Sequence, residues 1–161
     1  MSYGARDRAG KGRSRPVNPA IPEVADRMGA ARILLAEDDP DLRSLLADLL
    51  REDGHQVVEA EDGTALLDRL AEALASDQGF DAYDLIVTDI RMPGYYAFDV
   101  MLGMRRKMAD TPFILITGFG DAMTRLRAER LGAVAVLDKP IDADELRRVV
   151  SKVLGQRPPL S

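Results

Sequence analysis

The sequence predicts an α/β domain: a doubly wound, five-stranded parallel sheet covered by helices on both faces. Short apolar segments alternate along the chain with longer segments in which leucine, valine or methionine recurs at helical spacing. Several of the short segments lack a polar face, as expected of strands buried on both sides. Polar residues follow the apolar segments, at the strand ends where open parallel sheets place their functional groups.

Composition excludes several other classes of protein. The 161 residues suffice for one domain with its own core and a short extension. No apolar segment approaches the ~20 residues that span a bilayer, and the start of the chain lacks the apolar core of a secretory signal. The absence of cysteine excludes disulfides and thiolate metal sites, and a net charge of −5 argues against direct nucleic-acid binding. We therefore expect a cytoplasmic protein with neither membrane nor nucleic acid as a partner.

Three segments of unequal character are predicted. Residues 1–30 interleave basic residues with Gly, Ser and Pro, and this composition is typical of a disordered basic arm. The arm could tether an acidic partner or nucleic acid, but a solvated leader is the favoured interpretation. Residues 31–155 form the folded domain, and residues 156–161 form a short tail.

The sequence of the first half of the domain predicts two units, each a strand followed by a helix. Residues 33–36 form a strand that ends in a run of acidic residues, and Pro40 opens the first helix. Gly54 ends that helix. A second strand covers residues 56–60, and Asp62 caps a second helix with leucine on one face.

The second half predicts three more units. The third strand, which begins at Leu85, runs directly into Asp89 and breaks at a Pro-Gly turn before a methionine-rich helix. The fourth strand covers residues 112–117, and its helix runs from Asp121 to Leu131. The fifth strand covers residues 133–137, and Asp142 caps the last helix, which ends at Gly155.

Polar residues follow four of these strands, and a parallel sheet gathers them at one edge: Glu37, Asp38, Asp89, Thr117 and Lys139. Three carboxylates held together repel one another, so at least one pKa should rise. A hard divalent cation relieves that repulsion, and ligands that are all oxygen favour Mg²⁺. The set suits phosphoryl transfer, with Asp89 as nucleophile, Mg²⁺ between Asp89 and Asp38, and Lys139 and Thr117 on the phosphoryl oxygens.

These residues give the chain a family resemblance. Residues 33–39, 88–94, 114–118 and 138–140 resemble, in order and spacing, the motifs of the receiver domain of two-component response regulators. The resemblance covers residues 31–155. It implies a flavodoxin-like (βα)5 three-layer sandwich with strand order 2-1-3-4-5.

The resemblance also implies roles. Asp89 would accept a phosphoryl group from a histidine kinase or phosphotransfer protein, and Thr117 and Lys139 would bind the phosphoryl oxygens. The implied Mg²⁺ ligands are Asp38, Asp89, the backbone carbonyl of Arg91 and, through water, Glu37. The peptide bond before Pro140 would be cis. Phosphorylation would alter the face of the fourth helix, fifth strand and fifth helix, which would contact a downstream protein effector, and the protein would be a monomer or weak homodimer.

The sequence departs from the family pattern at three places. Tyr95, Tyr96 and Ala97 follow the Pro-Gly turn where Met-Asp-Gly is common, and Gly118 stands where Ala or Ser is usual. Val136 occupies the place of the aromatic residue that usually switches. A pseudo-receiver, which keeps the fold and binds a partner constitutively without a phosphorylation switch, is therefore the alternative function.

The favoured prediction is a stand-alone receiver that signals through phosphorylation-dependent protein contacts, since no output domain follows Gly155 in this sequence. It would not be an enzyme that turns over an external substrate. A phosphatase of the haloacid-dehalogenase type also uses a strand-end aspartate with Mg²⁺, but it needs a second aspartate two residues later. That position is Arg91.

Overall fold

The computed structural model describes residues 30–77, 82–93, 95–104, 110–118 and 120–155. Most of the predicted arm and the whole predicted tail lie outside the described residues. The strands are β1 (Arg32–Ala36), β2 (Gln56–Ala60), β3 (Leu85–Asp89), β4 (Arg91–Met92), β5 (Tyr95–Tyr96), β6 (Phe113–Thr117) and β7 (Ala135–Asp138). The helices are α1 (Pro40–Glu52), α2 (Gly63–Ala75), α3 (Ala97–Met104), α4 (Ala122–Arg130) and α5 (Ala143–Gly155).

The main sheet is parallel and has the order β2-β1-β3-β6-β7. This confirms the predicted order 2-1-3-4-5, because β6 and β7 are the fourth and fifth of its strands along the chain. The sequence did not reveal β4 and β5, which form a two-stranded antiparallel hairpin directly after β3.

The core has two halves, one on each face of the sheet. Alternate residues of each central strand point to opposite faces, so Leu34 and Ile86 belong to one half and Leu35 and Val87 to the other. Helices α2, α3 and α4 cover the first half, and α1 and α5 cover the second. The predicted three-layer, doubly wound architecture is therefore confirmed.

Local chemistry sets the helix boundaries. Aspartates cap α1 and α2: the Asp39 carboxylate accepts from the Asp41 amide at 2.9 Å, and the Asp62 carboxylate accepts from the Ala65 amide at 2.8 Å. Gly54 follows α1 with φ of 92°, a left-handed conformation that favours glycine.

Several predicted bounds differ from the observed ones by one residue, and the fifth strand differs by two. The fifth predicted strand begins two residues later than expected, at Ala135 in β7. The amide of Val134 bonds to the Phe113 carbonyl at 2.9 Å, just outside the strand proper. The third helix is described from Ala97 to Met104, and the rest of the predicted methionine-rich segment lies outside the described residues. No helix in the described part of the chain has the length and apolarity needed to cross a membrane.

Candidate functional site

Asp89 is the last residue of β3, and its side chain is almost completely buried. One carboxylate oxygen, Oδ1, accepts a hydrogen bond from the backbone amide of Arg91 at 2.9 Å. The other, Oδ2, accepts from the Lys139 ammonium at 2.6 Å. A buried carboxylate with both oxygens bonded is held in a fixed orientation, pointing to the carboxyl edge of the sheet.

Glu37 follows β1 and is fully buried, although it is charged in water at neutral pH. Its backbone amide donates to the Ala60 carbonyl at 3.1 Å, which continues the pairing of β1 with β2 by one residue. Its Oε2 accepts from the Asp39 amide at 3.0 Å. Its Oε1 lies 3.1 Å from the Lys139 ammonium in an ion pair, yet accepts no well-aligned hydrogen bond within the described part of the chain.

Burial is the main reason that the pKa of Glu37 rises to about 7. A hydrogen bond from the Asp39 amide opposes that rise, and the neighbouring Asp38 and Asp89 add to it. The sequence-based expectation that one carboxyl pKa in this cluster should rise is therefore met at Glu37. Removal from water contributes more to this rise than the predicted repulsion between carboxylates.

Lys139 directly follows β7 and bridges the two buried carboxylates. Its backbone amide donates to the Thr117 carbonyl at 2.8 Å, so β6 fixes where the lysine leaves the sheet. The Lys139–Pro140 peptide bond is cis, as the sequence predicts. Burial works to lower the pKa of the ammonium, but its bonds to Asp89 and Glu37 outweigh burial and raise that pKa above its usual value.

Thr117 ends β6, the strand beside β3, and is buried. The register places Asp89 opposite Ile116, one residue before Thr117. The Ile90 amide continues this pairing with a bond to the Ile116 carbonyl at 2.9 Å. Thr117 therefore emerges at the same edge as Asp89, while its carbonyl positions Lys139.

The three acidic residues are close enough to share one cation. Glu37, Asp38 and Asp89 each offer a carboxylate oxygen, and these oxygens lie within 4.8 Å of one another. Asp38 is exposed, so a cation there could keep some of its water. The buried Glu37 Oε1 has acceptor capacity to spare, since the Lys139 ammonium pairs with it at 3.1 Å and no described residue gives it a well-aligned hydrogen bond. The donor chemistry thus fits Mg²⁺.

The structure brings Glu37, Asp38, Asp89 and Lys139 together as the sequence predicts, with Thr117 on the adjoining strand. Sequence reasoning missed the backbone amide of Arg91 as a donor to Asp89. It also missed the guanidinium of Arg43, which donates to the Glu37 carbonyl at 2.9 Å. A backbone amide leaves no trace in residue identity, and Arg43 looks like an ordinary helix-surface residue until the first turn of α1 is seen beside β1.

Comparison with known proteins agrees with this geometry. The sequence matches the response regulator receiver domain over residues 33–151. The chain belongs to this family. Receiver domains are signalling modules that accept a phosphoryl group, rather than typical enzymes that turn over a substrate, and they generally bind Mg²⁺ at an acidic pocket.

Relatives of known name are longer proteins. The transcriptional regulatory protein TcrA of Mycobacterium tuberculosis is 35% identical over 139 residues, which cover 86% of this chain and 49% of TcrA. The transcriptional regulatory protein FixJ of Bradyrhizobium diazoefficiens is 30% identical over 79% of this chain and 58% of FixJ. The chain thus spans about half the length of these regulators, and the similarity concerns their receiver part.

A solved receiver domain has the same fold. The non-phosphorylated HemR receiver domain from Leptospira biflexa is similar with a TM-score of 0.68 and 32% identity, over 81% of this chain and 98% of that domain. The flavodoxin-like receiver fold predicted from the sequence is therefore confirmed.

The structure shows the surroundings of two residues that depart from the receiver pattern. Val136 is half-buried in β7 and packs against the half of the core that α4 covers. Gly118, just after Thr117, is exposed, and a Cβ built there would meet no atom within 4 Å. The absence of a side chain at residue 118 thus leaves open space beside the site.

Proposed function

We propose that this receiver domain accepts a phosphoryl group on Asp89 from a histidine kinase or a phosphotransfer protein. The observation that carries the proposal is the Lys139 ammonium, which bonds to Asp89 at 2.6 Å and pairs with Glu37 at 3.1 Å. A cation fixed at a buried aspartate, beside two further carboxylates, is the arrangement that phosphoryl transfer to a carboxylate requires.

In the transfer step, an Asp89 carboxylate oxygen forms the bond to phosphorus while the phosphorus–nitrogen bond of the donor histidine breaks. The nitrogen keeps the bonding electron pair and takes up a proton from solvent. Lys139 moves from the carboxylate to an oxygen of the arriving phosphoryl group, and the Thr117 hydroxyl donates to another. The Arg91 amide holds Asp89 Oδ1, so the carboxylate keeps its orientation as the lysine moves.

Mg²⁺, when bound, neutralises charge between the carboxylates and the phosphoryl oxygens. Asp38 and Asp89 would hold it directly with the backbone carbonyl of Arg91, and Glu37 would hold it through water. Glu37 suits that indirect role because its Oε2 is already occupied by the Asp39 amide. The buried Oε1 remains to accept from a water molecule.

The signal would pass to the face formed by α4, β7 and α5, where a downstream protein effector binds. Thr117 and Lys139 are joined by a backbone hydrogen bond, so a change at the phosphoryl group reaches β7 directly. The Arg125 guanidinium pairs with Asp138, which adjoins Lys139, and this pair connects β7 to α4.

Acetyl phosphate with Mg²⁺ tests the proposal. The wild-type protein should gain the mass of one phosphoryl group, labile to hydroxylamine, and Asp89→Asn should gain none. Asp99→Asn, which changes an exposed aspartate of α3, is the matched control and should be modified like the wild type. Equal modification of Asp89→Asn and wild type, or no Mg²⁺-dependent modification at all, would contradict the assignment.

Val136 favours a second candidate, a pseudo-receiver that binds its partner constitutively. A valine cannot make the inward rotation of an aromatic ring that usually couples the threonine to the output face. Beryllofluoride with Mg²⁺ separates the two functions. A switching receiver should show amide chemical-shift changes in α4, β7 and α5, whereas a pseudo-receiver should show changes confined to the surroundings of Asp89.

A further inference from the structure

A cleft of about 1100 Å³ opens between the β4–β5 hairpin and α4. We propose that this hairpin–α4 cleft docks an acidic, apolar segment of a protein partner. Its walls include Tyr96 from the hairpin, and Met123, Leu126, Arg127 and Arg130 from α4. Docking in this cleft is a function separate from phosphorylation of Asp89, and it does not require that phosphorylation.

The apolar side chains on the cleft walls are unusually exposed. Met123 is 72% exposed, Tyr96 is 68% exposed and Leu126 is 40% exposed, and all three line this one cleft. Single exposed apolar residues are common, but a group around one concave surface is typical of an interaction site. A partner that covers these three side chains would remove their apolar surface from water.

The residue types are those of a protein–protein interface. Aromatic residues, methionine and arginine are enriched at such interfaces, and lysine, glutamate and aspartate are depleted. The described residues that line the cleft include Tyr96, Phe98, two methionines and three arginines, and none of them is lysine, glutamate or aspartate. Tyrosine and arginine are also among the residues that most often dominate binding energy.

Charge identifies the chemistry of the occupant. The chain as a whole has a net charge of −5, yet the described lining of the cleft is basic, with Arg91, Arg127 and Arg130. The guanidinium carbon of Arg127 lies 4.7 Å from the ring centre of Phe98, so a cation–π contact holds this side chain against the cleft wall. A guanidinium held in this way can bind a carboxylate through two hydrogen bonds at small entropic cost.

Arg91 is the arginine least suited to an external acid. Asp121 caps α4 beside the cleft, and its pKa is lowered first by its bond from the Thr124 amide and also by the charge of Arg91. The attraction for an acidic partner therefore rests on Arg127 and Arg130, which lie in the last turn of α4. Both side chains are exposed.

A protein segment fits the cleft better than a small ligand or nucleic acid. The volume of about 1100 Å³ lies just above the ~300–1,000 Å³ usual for small-ligand pockets, and the exposed rim carries apolar side chains. Nucleic acid would require a wider basic surface than this acidic protein offers. An amphipathic segment with apolar residues on one side and Asp or Glu beside them matches both the rim and the arginines.

A displayed library of random 16-residue peptides, selected on the immobilised full chain, tests the proposal. Selected peptides should be enriched in Asp and Glu together with Leu, Ile, Phe or Trp. Their affinity should fall at least tenfold for Arg127→Glu/Arg130→Glu and for Leu126→Gln. It should be unchanged for Arg148→Glu, the same charge reversal on an exposed residue of α5. Circular dichroism establishes that each variant is folded, and Arg130→Glu alone replaces the double variant if that one is not.

Four results would overturn the proposal: selection of no peptide, of basic peptides, of peptides that bind the double variant as well as wild type, or of peptides that bind Leu126→Gln equally well. Binding of a 20-nucleotide single strand that depends on Arg127 and Arg130 would also overturn it, since the surface would then bind nucleic acid. Asp89→Asn should retain peptide binding. This variant keeps failure of the cleft distinct from failure of the phosphorylation chemistry.

Discussion

The two helices beside β7 are attached to the sheet in different ways. Helix α5 buries three large side chains, Leu146, Val150 and Leu154, whereas the single buried residue of α4 is Ala128. Buried apolar area is the main source of stability, so α5 is fixed to the domain and α4 is held weakly. The carboxylates and Lys139 lie at the carboxyl edge of the sheet, and Thr117 at the same edge also lines the hairpin–α4 cleft on the weakly held side.

Both helices also make ion pairs to other elements, and these pairs are largely exposed in both cases. In α5, Arg147 pairs with Glu52 at 2.6 Å and with Asp53 at 3.4 Å, and so joins α5 to the end of α1. Helix α4 has the exposed pair between Arg125 and Asp138 and the stacking of Arg127 on Phe98. Exposed pairs contribute little to stability, so the difference between the two helices rests on their buried side chains. If Asp89 is phosphorylated as proposed, α4 is therefore the helix that would move at the smallest cost in packing.

Truncating one leucine in each helix gives the largest expected difference in stability. Leu146→Ala should lower the free energy of unfolding by about 3 kcal/mol, because it removes a fully buried side chain from a packed core. Leu126→Ala should lower it by less than about 0.5 kcal/mol, because that side chain is 40% exposed. Urea unfolding of both variants measures the difference. Equal losses would show that α4 is as firmly packed as α5.

Lys139→Met should have a smaller effect on stability, of about 2 kcal/mol in metal-free buffer. It leaves Glu37 and Asp89 buried without their cation, although the 29% exposure of the lysine side chain allows solvent to screen part of the loss. Added Mg²⁺ should restore much of the stability, since it supplies positive charge at the same carboxylates. Lys152→Met, at an exposed position of α5, is the control and should change little. A loss of stability that added Mg²⁺ does not reduce would contradict the idea that Lys139 and Mg²⁺ both supply positive charge to these carboxylates.

The pH dependence of Glu37 gives the subtlest expected effect. Burial raises its pKa in the metal-free fold from 4.5 to about 7. Because the folded state binds this proton more tightly than the unfolded state, protonated Glu37 favours folding below pH 4.5. This contribution to stability is lost as the pH rises from 4.5 through 7. Relative to Glu37→Gln, the wild type should therefore lose stability between those two values. Carbon-13 NMR of the Glu37 carboxyl should show a midpoint near 7, and a midpoint near 4.5 would refute it.

The sequence-based predictions agree best with the structure at the buried strands and at the charged residues that directly follow them. The apolar strands could be predicted because both their faces are covered, and Asp89 was visible as a charge at the end of such a strand. Lys139 could be assigned because it directly precedes a proline after a buried strand. These features depend on residue type and order alone.

The β4–β5 hairpin and the cleft beside it could not be predicted. Each strand of the hairpin has two residues, too few for a period to be read from the sequence. Met123 and Leu126 are apolar residues of a helix, yet both are exposed. Helical period identifies which residues share a face but not whether another element covers that face.

The single buried residue of α4 also bears on how such a domain can diversify. Ala128 is the position in this helix that the core constrains strongly, and substitutions at its exposed positions should cost little stability. The surface of α4 can therefore change from one lineage to another while the carboxylates and Lys139 stay as they are. A duplicated copy of this domain could acquire a new partner by substitutions in one helix, without any change to the carboxylates and Lys139.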